Sequence, residues 1–292
     1  MKRPLVLDFD GSLHALAEAE VLSLAAWQEA VRFGCGLATW RKLRKALDEK
    51  LPNEYGTVLM GSGDFHHLSH LLIERIDKVK LIDVVVLDNH PDNMRFPFGI
   101  HCGSWVHHVA ALPNVRTVHV VGISSGDAGW CHAWENTLRP LYANRVHYWT
   151  LGVDTRWAHL IGLSRSISSF LRRETLIESF VAYLRGSDLP VYLSIDKDVL
   201  DAGVVKTNWD QGRFVVNDIE QIVSALAGRI VGSDITGDIS LHSYSTRWKR
   251  WLSAMDNQPV LAASEVAQWQ SGQVAVNRRL LAAIAVAAAT GS

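Results

Sequence analysis

The 292 residues carry 29 Lys and Arg against 30 Asp and Glu, a formal charge of −1 that provides no field for drawing in nucleic acid or an anionic membrane. At 48% apolar residues, the chain can bury a sheet between two helical layers, and one domain spanning 1–292 is expected. Three scattered cysteines (Cys35, Cys102 and Cys131) argue against a disulfide framework, and with no basic-then-apolar leader they fit a cytoplasmic setting.

In chain order, the first predicted strand is Leu5–Leu7, which runs into Asp8-Phe9-Asp10-Gly11-Ser12. Taken alone, this stretch resembles the first motif of the haloacid dehalogenase phosphohydrolases. That resemblance implies Asp8 as nucleophile, Asp10 as proton carrier, and Asp234 with Asp238 as an Mg²⁺ site. Next, the glycine-rich turn in MGSGDFHHLSHLL, residues 60–72, leads into a predicted helix over Leu68–Ile76, with His66 and His67 near its start. A strand over Val84–Leu87 is followed by Asp88-Asn89-His90-Pro91-Asp92. His101 precedes a helix expected from about Cys102 that also carries His107 and His108. Further strands are expected at Thr117–Val121, Val146–Thr150, Val191–Ile195 and Ile230–Val231. Asp196-Lys197-Asp198 follows the third of these, and Asp234 and Asp238 follow the last. Helices are expected from Val216, with a capping box from Asn217 to Glu220, and over Ser243–Met255 and Asn277–Ala289.

The strands are mostly apolar runs without clean alternation, as in a parallel sheet buried on both faces, and they alternate with helices. The expected fold is therefore α/β, three layers around a central, mainly parallel sheet. The apolar tract Leu280–Ala289 is too short to span a bilayer and reads as a buried helix.

Ligands of such sheets bind beyond the carboxyl ends of the strands. That is where the carboxylates gather. In extended chain just past a strand, Asp88, His90 and Asp92 share one side, and Asp196 and Asp198 do the same while Lys197 points away. Each motif alone also suits a turn with capping aspartates. Brought together, four carboxylates would repel one another unless cations compensate them. An oxygen-rich donor set with one or two imidazoles suits Mn²⁺ better than structural zinc, and no cysteine lies in these motifs.

These residues resemble the arginase–agmatinase–formiminoglutamase ureohydrolases, which hydrolyse guanidino or amidino C–N bonds at a binuclear manganese centre. The D-x-H-x-D motif of that family corresponds to Asp88, His90 and Asp92. Its S-[FI]-D-x-D-x-x-D-P motif corresponds to Ser194–Asp201, with Ala202 in place of proline, and its G-G-D-H segment loosely to Gly61–His67. The resemblance spans roughly residues 56–290. It implies an arginase-like fold and two Mn²⁺ per chain bridged by Asp88 and Asp196. One ion would add His66 (or His67) and Asp92, and the other His90 and Asp198. A metal-bridging hydroxide would then attack the sp² carbon of a small-molecule substrate. His101 occupies the place of the family's proton-shuttling histidine, with a helix cap as the less favoured alternative.

Two departures bear on substrate. The family's guanidinium-pairing glutamate falls near Gly237, where the nearest acid is Asp238, and Met94 stands where arginases carry a substrate-binding asparagine. The expectation is a metal-dependent hydrolase of linear C–N bonds, a homo-oligomer with no nucleic-acid or membrane partner. Asp238 is the candidate substrate acid. The alternatives are the phosphohydrolase, a deacetylase-like amide hydrolase and a catalytically altered binding protein. Asp8 and Asp10 are then expected to close a turn or hold other residues in place. Tryptophans including Trp130, Trp134, Trp157 and Trp209 could line a substrate mouth, but the default expectation for them is the core or a subunit contact.

Overall fold

The computed structural model describes residues 2–13, 16, 18–250 and 263–290. Among the described residues there are eleven strands: β1 (Leu5–Asp8), β2 (Glu20–Ser23), β3 (Gly34–Cys35), β4 (Val58–Leu59), β5 (Ile82–Leu87), β6 (Ile100–His101), β7 (Val115–Ile123), β8 (Val146–Leu151), β9 (Ile167–Phe170), β10 (Val191–Asp196) and β11 (Ile230–Thr236). Nine of them form one sheet in the order β2-β1-β4-β11-β10-β5-β7-β8-β9, and β3 and β6 pair separately as a short antiparallel ribbon. Every pairing in the large sheet is parallel.

Strand chemistry explains the layering. Along β5 the side chains alternate, with Val84 and Val86 packing into one apolar cluster and Val85 and Leu87 into another. The first cluster is closed by the helices Leu37–Lys50, Ser69–Ile73 and Trp105–Ala110. The second is closed by Arg173–Arg185, Val216–Ala225 and Ala263–Ala289. Both faces are covered, so the strands need no polar side, which is why they read as continuous apolar runs. Among the described residues, no helix is long and apolar enough to cross a membrane.

From β5 the chain proceeds through β7, β8 and β9 toward one edge, then returns to β10 and continues to β11 in the opposite direction. The crevice between the carboxyl ends of β5 and β10 is thus the switch point of the sheet, where parallel α/β folds bind ligands. Ile195 pairs with Leu87, so Asp196 and Asp88 follow side by side.

Several local expectations are corrected. β11 continues to Thr236, placing Asp234 inside the strand instead of after it. Its Gly232-Ser233-Asp234 run has little strand propensity, but it pairs with β10, and three hydroxyls satisfy the Asp234 carboxylate: Ser69 (3.0 Å), Ser194 (2.7 Å) and Tyr192 (2.7 Å). The helix placed at Leu68–Ile76 is a 3₁₀ turn over Gly63–Leu68 followed by α-helix Ser69–Ile73. In Val216–Ala225 the cap lies earlier than expected, since Val215 N donates to Asp218 Oδ2 at 2.7 Å and Asn217 takes no part in that bond. Asn277–Ala289 is the second half of the longer helix Ala263–Ala289. Of Ser243–Met255, residues 243–246 are not helical, 247–250 are, and 251–255 lie outside the described residues.

Candidate metal centre

Three segments converge above the β5–β10 crevice. The 3₁₀ turn after β4 brings in His66, the extension of β5 brings Asp88, His90 and Asp92, and the end of β10 brings Asp196 and Asp198. His66 Nδ1 lies 3.0 Å from Asp88 Oδ2, 3.1 Å from Asp92 Oδ2 and 3.5 Å from Asp196 Oδ2. His90 Nδ1 lies 2.8 Å from Asp198 Oδ2 and 3.5 Å from Asp88 Oδ1. Two groups have ligand atoms close enough for one ion each, His66–Asp88–Asp196 and Asp88–His90–Asp198, with Asp88 common to both.

Both imidazoles are oriented from behind. His66 Nε2 meets Ser194 Oγ at 2.9 Å, and that hydroxyl donates to Asp234. His90 Nε2 lies 2.7 Å from Asp210 Oδ1. A proton held on each Nε2 leaves each Nδ1 lone pair for the shared centre, the arrangement by which outer partners aim metal-binding histidines. The carboxylates are braced as well. Asp196 accepts from Thr236 Oγ1 and Asp198 N (both 3.0 Å), Asp198 from Asn89 N (3.0 Å), Asp92 from Trp105 Nε1 (2.7 Å), and Asp88 from His90 N (2.6 Å).

Electrostatics test whether cations fit. Four buried carboxylates meet two imidazoles here, while Lys197 turns away. Burial and neighbouring charges push Asp196 and Asp198 above the usual carboxylate range, and Asp92 up to about 7. Asp88 is held low despite its burial, because both histidines face it. His66 and His90, which burial alone would keep neutral, are instead raised by these carboxylates. Without cations, protons must therefore balance the charge. His66 Nδ1 and Asp88 Oδ2 are also buried, with no aligned hydrogen bond to either atom although they lie 3.0 Å apart. Unaligned donor atoms converging on one point suit metal ions, and the set of carboxylate oxygens with imidazole nitrogens suits Mn²⁺-like ions.

The centre opens into a cavity of about 670 Å³, also lined by Phe33, Arg95, Phe96, His101, Trp134 and Trp209. A second cavity, of about 370 Å³ beside Leu141 and Arg165, has no acid or histidine in its lining.

His67, the alternative ligand, is buried away from this cavity against Trp40. Asp64 is held by Arg32 Nε at 2.6 Å and Trp209 Nε1 at 3.0 Å. His101 does cap the following turn: its Nδ1 accepts from Gly103 N at 3.0 Å, so the neutral ring carries its proton on Nε2. Burial, with His107 and His108 nearby, lowers His101 to about 3. The neutral ring lining the cavity therefore presents an N–H donor at Nε2.

Asp238, expected as the substrate acid, does not line the cavity. Its carboxylate pairs with buried Lys197 at 2.7 Å and accepts from Asn277 at 2.9 Å. Lys197 also donates to Gln273 and Asn277, tying the turn between Asp196 and Asp198 to the long C-terminal helix. Nor can a side chain be added at Gly237: its φ is +87°, and a Cβ would lie 2.5 Å from Asp196 Oδ1. Asp10, the second acid of the opening motif, faces Arg32 at 3.4 Å, and Asp8 closes the Gly11 turn by accepting its N–H at 2.9 Å.

Sequence reading missed Asp210 and the Ser194–Asp234 relay, whereas Trp134 and Trp209 do stand in the cavity wall, the less favoured of the two places considered for them. Asp210 sits in an irregular loop with no periodicity, so only its contact with His90 reveals it.

The overall arrangement has counterparts among solved structures. A Bacillus subtilis arginase aligns over 96% of this chain and 98% of its own, with a TM-score of 0.56 at 17% identity. The chain has the arginase fold. An agmatine ureohydrolase of Thermoplasma volcanium aligns over 85% of this chain and 68% of its own, with a TM-score of 0.53 at 14% identity. The proclavaminate amidino hydrolase of Streptomyces clavuligerus covers 86% and 71%, with a TM-score of 0.52 at 18% identity. By sequence, an uncharacterized protein of Thermotoga maritima is 28% identical over 218 residues, covering 74% of this chain and 71% of the relative. No protein-family model matches. The likeness in fold thus comes with 14–18% sequence identity to these structures.

Proposed function

We propose that the chain is a hydrolase of a linear C–N bond in a guanidino, amidino or related small molecule, dependent on two divalent cations, manganese by the character of the donors. The observation that carries this reading is the convergence of His66, Asp88, Asp92, His90, Asp196 and Asp198 at the switch point, at the floor of an open cavity. His66, Asp88, Asp92 and Asp196 would hold one ion, and Asp88, His90, Asp196 and Asp198 the other. Bound there, the ions would supply an activated water near neutral pH and polarise the scissile group.

The chain's own residues do the positioning. Ser194 with Asp234, and Asp210, fix the two imidazoles. Trp105 and Thr236 hold Asp92 and Asp196. His101, with Nδ1 engaged by Gly103, keeps one N–H available on a ring that lines the cavity, suited to a substrate heteroatom. The names of the similar structures (arginase, agmatine ureohydrolase, amidino hydrolase) favour this reaction class.

The test is elemental analysis of protein purified without chelator, followed by a urea- and ammonia-release screen. Two manganese ions per chain with release from a guanidine or amidine support the reading. A single Mg²⁺ with phosphatase turnover dependent on Asp8 overturns it. Two bound metals without turnover on guanidines, amidines or amides would make the chain a binding protein.

A further inference from the structure

The cavity wall limits what the substrate can be. Trp209 stands edge-on to His90 with ring centroids 5.8 Å apart, so the wall begins at the metal-binding residues themselves. Phe33 stacks on Trp209 (5.9 Å, planes 20° apart) and on His101 (5.9 Å, 12°), and Phe96 meets His101 edge-on at 4.4 Å. Phe98 extends the row outward from Phe96 at 5.7 Å and is 78% exposed. Also in the lining is Trp134, 69% exposed, with its indole fixed by an Nε1 hydrogen bond to the Cys131 carbonyl at 3.0 Å. A large apolar ring held rigidly in water at the mouth of a site leaves apolar surface uncovered until something packs on it.

Several charged groups of the cavity have partners in or beside its walls, Asp127 Oδ2 accepting from Ser125 Oγ at 3.3 Å. Asp210 is bound to His90, Glu135 to His132 at 3.0 Å, and Arg95 Nε donates to the Asn136 carbonyl. Gly237 cannot accept a side chain, and Asp238 is spent on Lys197. Met94 adds a thioether to the same lining.

We propose that the substrate of the hydrolase described above carries a flat aromatic group on its C–N-bearing carbon, held between Trp134 and the Trp209–Phe33–His101–Phe96 wall. Trp134 and Phe96 are then the residues that set specificity, and the inference rests on the C–N hydrolase reading.

The experiment uses the full chain loaded with Mn²⁺ and measures binding by calorimetry for two matched pairs, benzamidine against acetamidine and benzamide against acetamide, with L-arginine as competitor. Burying a phenyl ring should tighten the aromatic member of whichever pair binds by roughly ten- to hundredfold. Trp134→Ala and Phe96→Ala should each erase most of that ratio while manganese per chain stays unchanged. Equal affinities within both pairs, no binding by either aromatic probe, or displacement of the aromatic probes by L-arginine at lower concentration would overturn the proposal. Manganese content and ammonia release on the same samples separate the two readings. Metal loading with turnover but no aromatic preference sinks the aromatic slot alone. An aromatic preference without metal sinks the hydrolase reading.

Discussion

Two places along one sheet edge carry the same local chemistry and end differently. β1 and β5 are both apolar strands that run into closely spaced aspartates. At β1, Asp10 meets the buried guanidinium of Arg32, itself bound to Asp64 and Ser240, and Asp8 is used up in a turn. At β5, Asp88 and Asp92 meet further carboxylates from β10 and only imidazoles between them. Paired acids at a strand end are thus not a catalytic signature in themselves. What matters is whether the fold provides a fixed cation or leaves the charge to be balanced from outside.

The largest expected effect follows from the uncompensated site. Asp88→Ala removes the carboxylate common to both ligand groups, so manganese content should fall from two per chain to below one and C–N hydrolysis should be lost, read by elemental analysis and ammonia release. Asp10→Asn should leave metal content unchanged. If Asp10→Asn strips the metal instead, the contrast between the two strand ends is wrong.

Next in size is the Lys197 network. Lys197→Met leaves Asp238 buried without its partner and should cost about 3–5 kcal/mol in denaturant unfolding, whereas Lys197→Met with Asp238→Leu should recover most of that loss. Chelation comes after it. Removing metal held at a thousandfold excess over its dissociation constant should lower stability by about 4 kcal/mol for each site emptied, seen as a drop in melting temperature that Asp88→Ala protein does not show. Asp210→Asn should weaken manganese affinity by roughly ten- to a hundredfold with little change in unfolding free energy, because this partner orients His90 from a partly exposed position. The smallest effect is at β1: Asp8→Asn disturbs one turn hydrogen bond and should cost about 1 kcal/mol, with metal content intact.

Much of the fold could be read from local pattern. The long buried strands β5, β7, β8 and β10 declare themselves because both faces are apolar, and the carboxylates following β5 and β10 are visible as breaks in that pattern. Short strands such as β4 and β9 were not visible, since two to four residues offer no period to count. Asp234 was misplaced for a related reason: Gly232 and Ser233 look like a loop until β10 pairs with them. His66 was favoured over His67 only modestly on sequence, because a one-residue insertion in the glycine-rich turn leaves its direction open. The 3₁₀ turn sends His66 toward the carboxylates and His67 toward Trp40.

Sequence alone, then, determined the alternation of strands and helices, the parallel character of the sheet and the order of its acidic strand ends, all of which show in the local pattern of apolar and polar residues. The pairing of these side chains with partners 76 to 120 residues away was decided only by tertiary structure: Asp88 and Asp92 with Asp196 and Asp198, His90 with Asp210, and Lys197 with the C-terminal helix. The role of a charge depends on which opposite charge lies within a few ångströms of it, and chain order does not specify that distance.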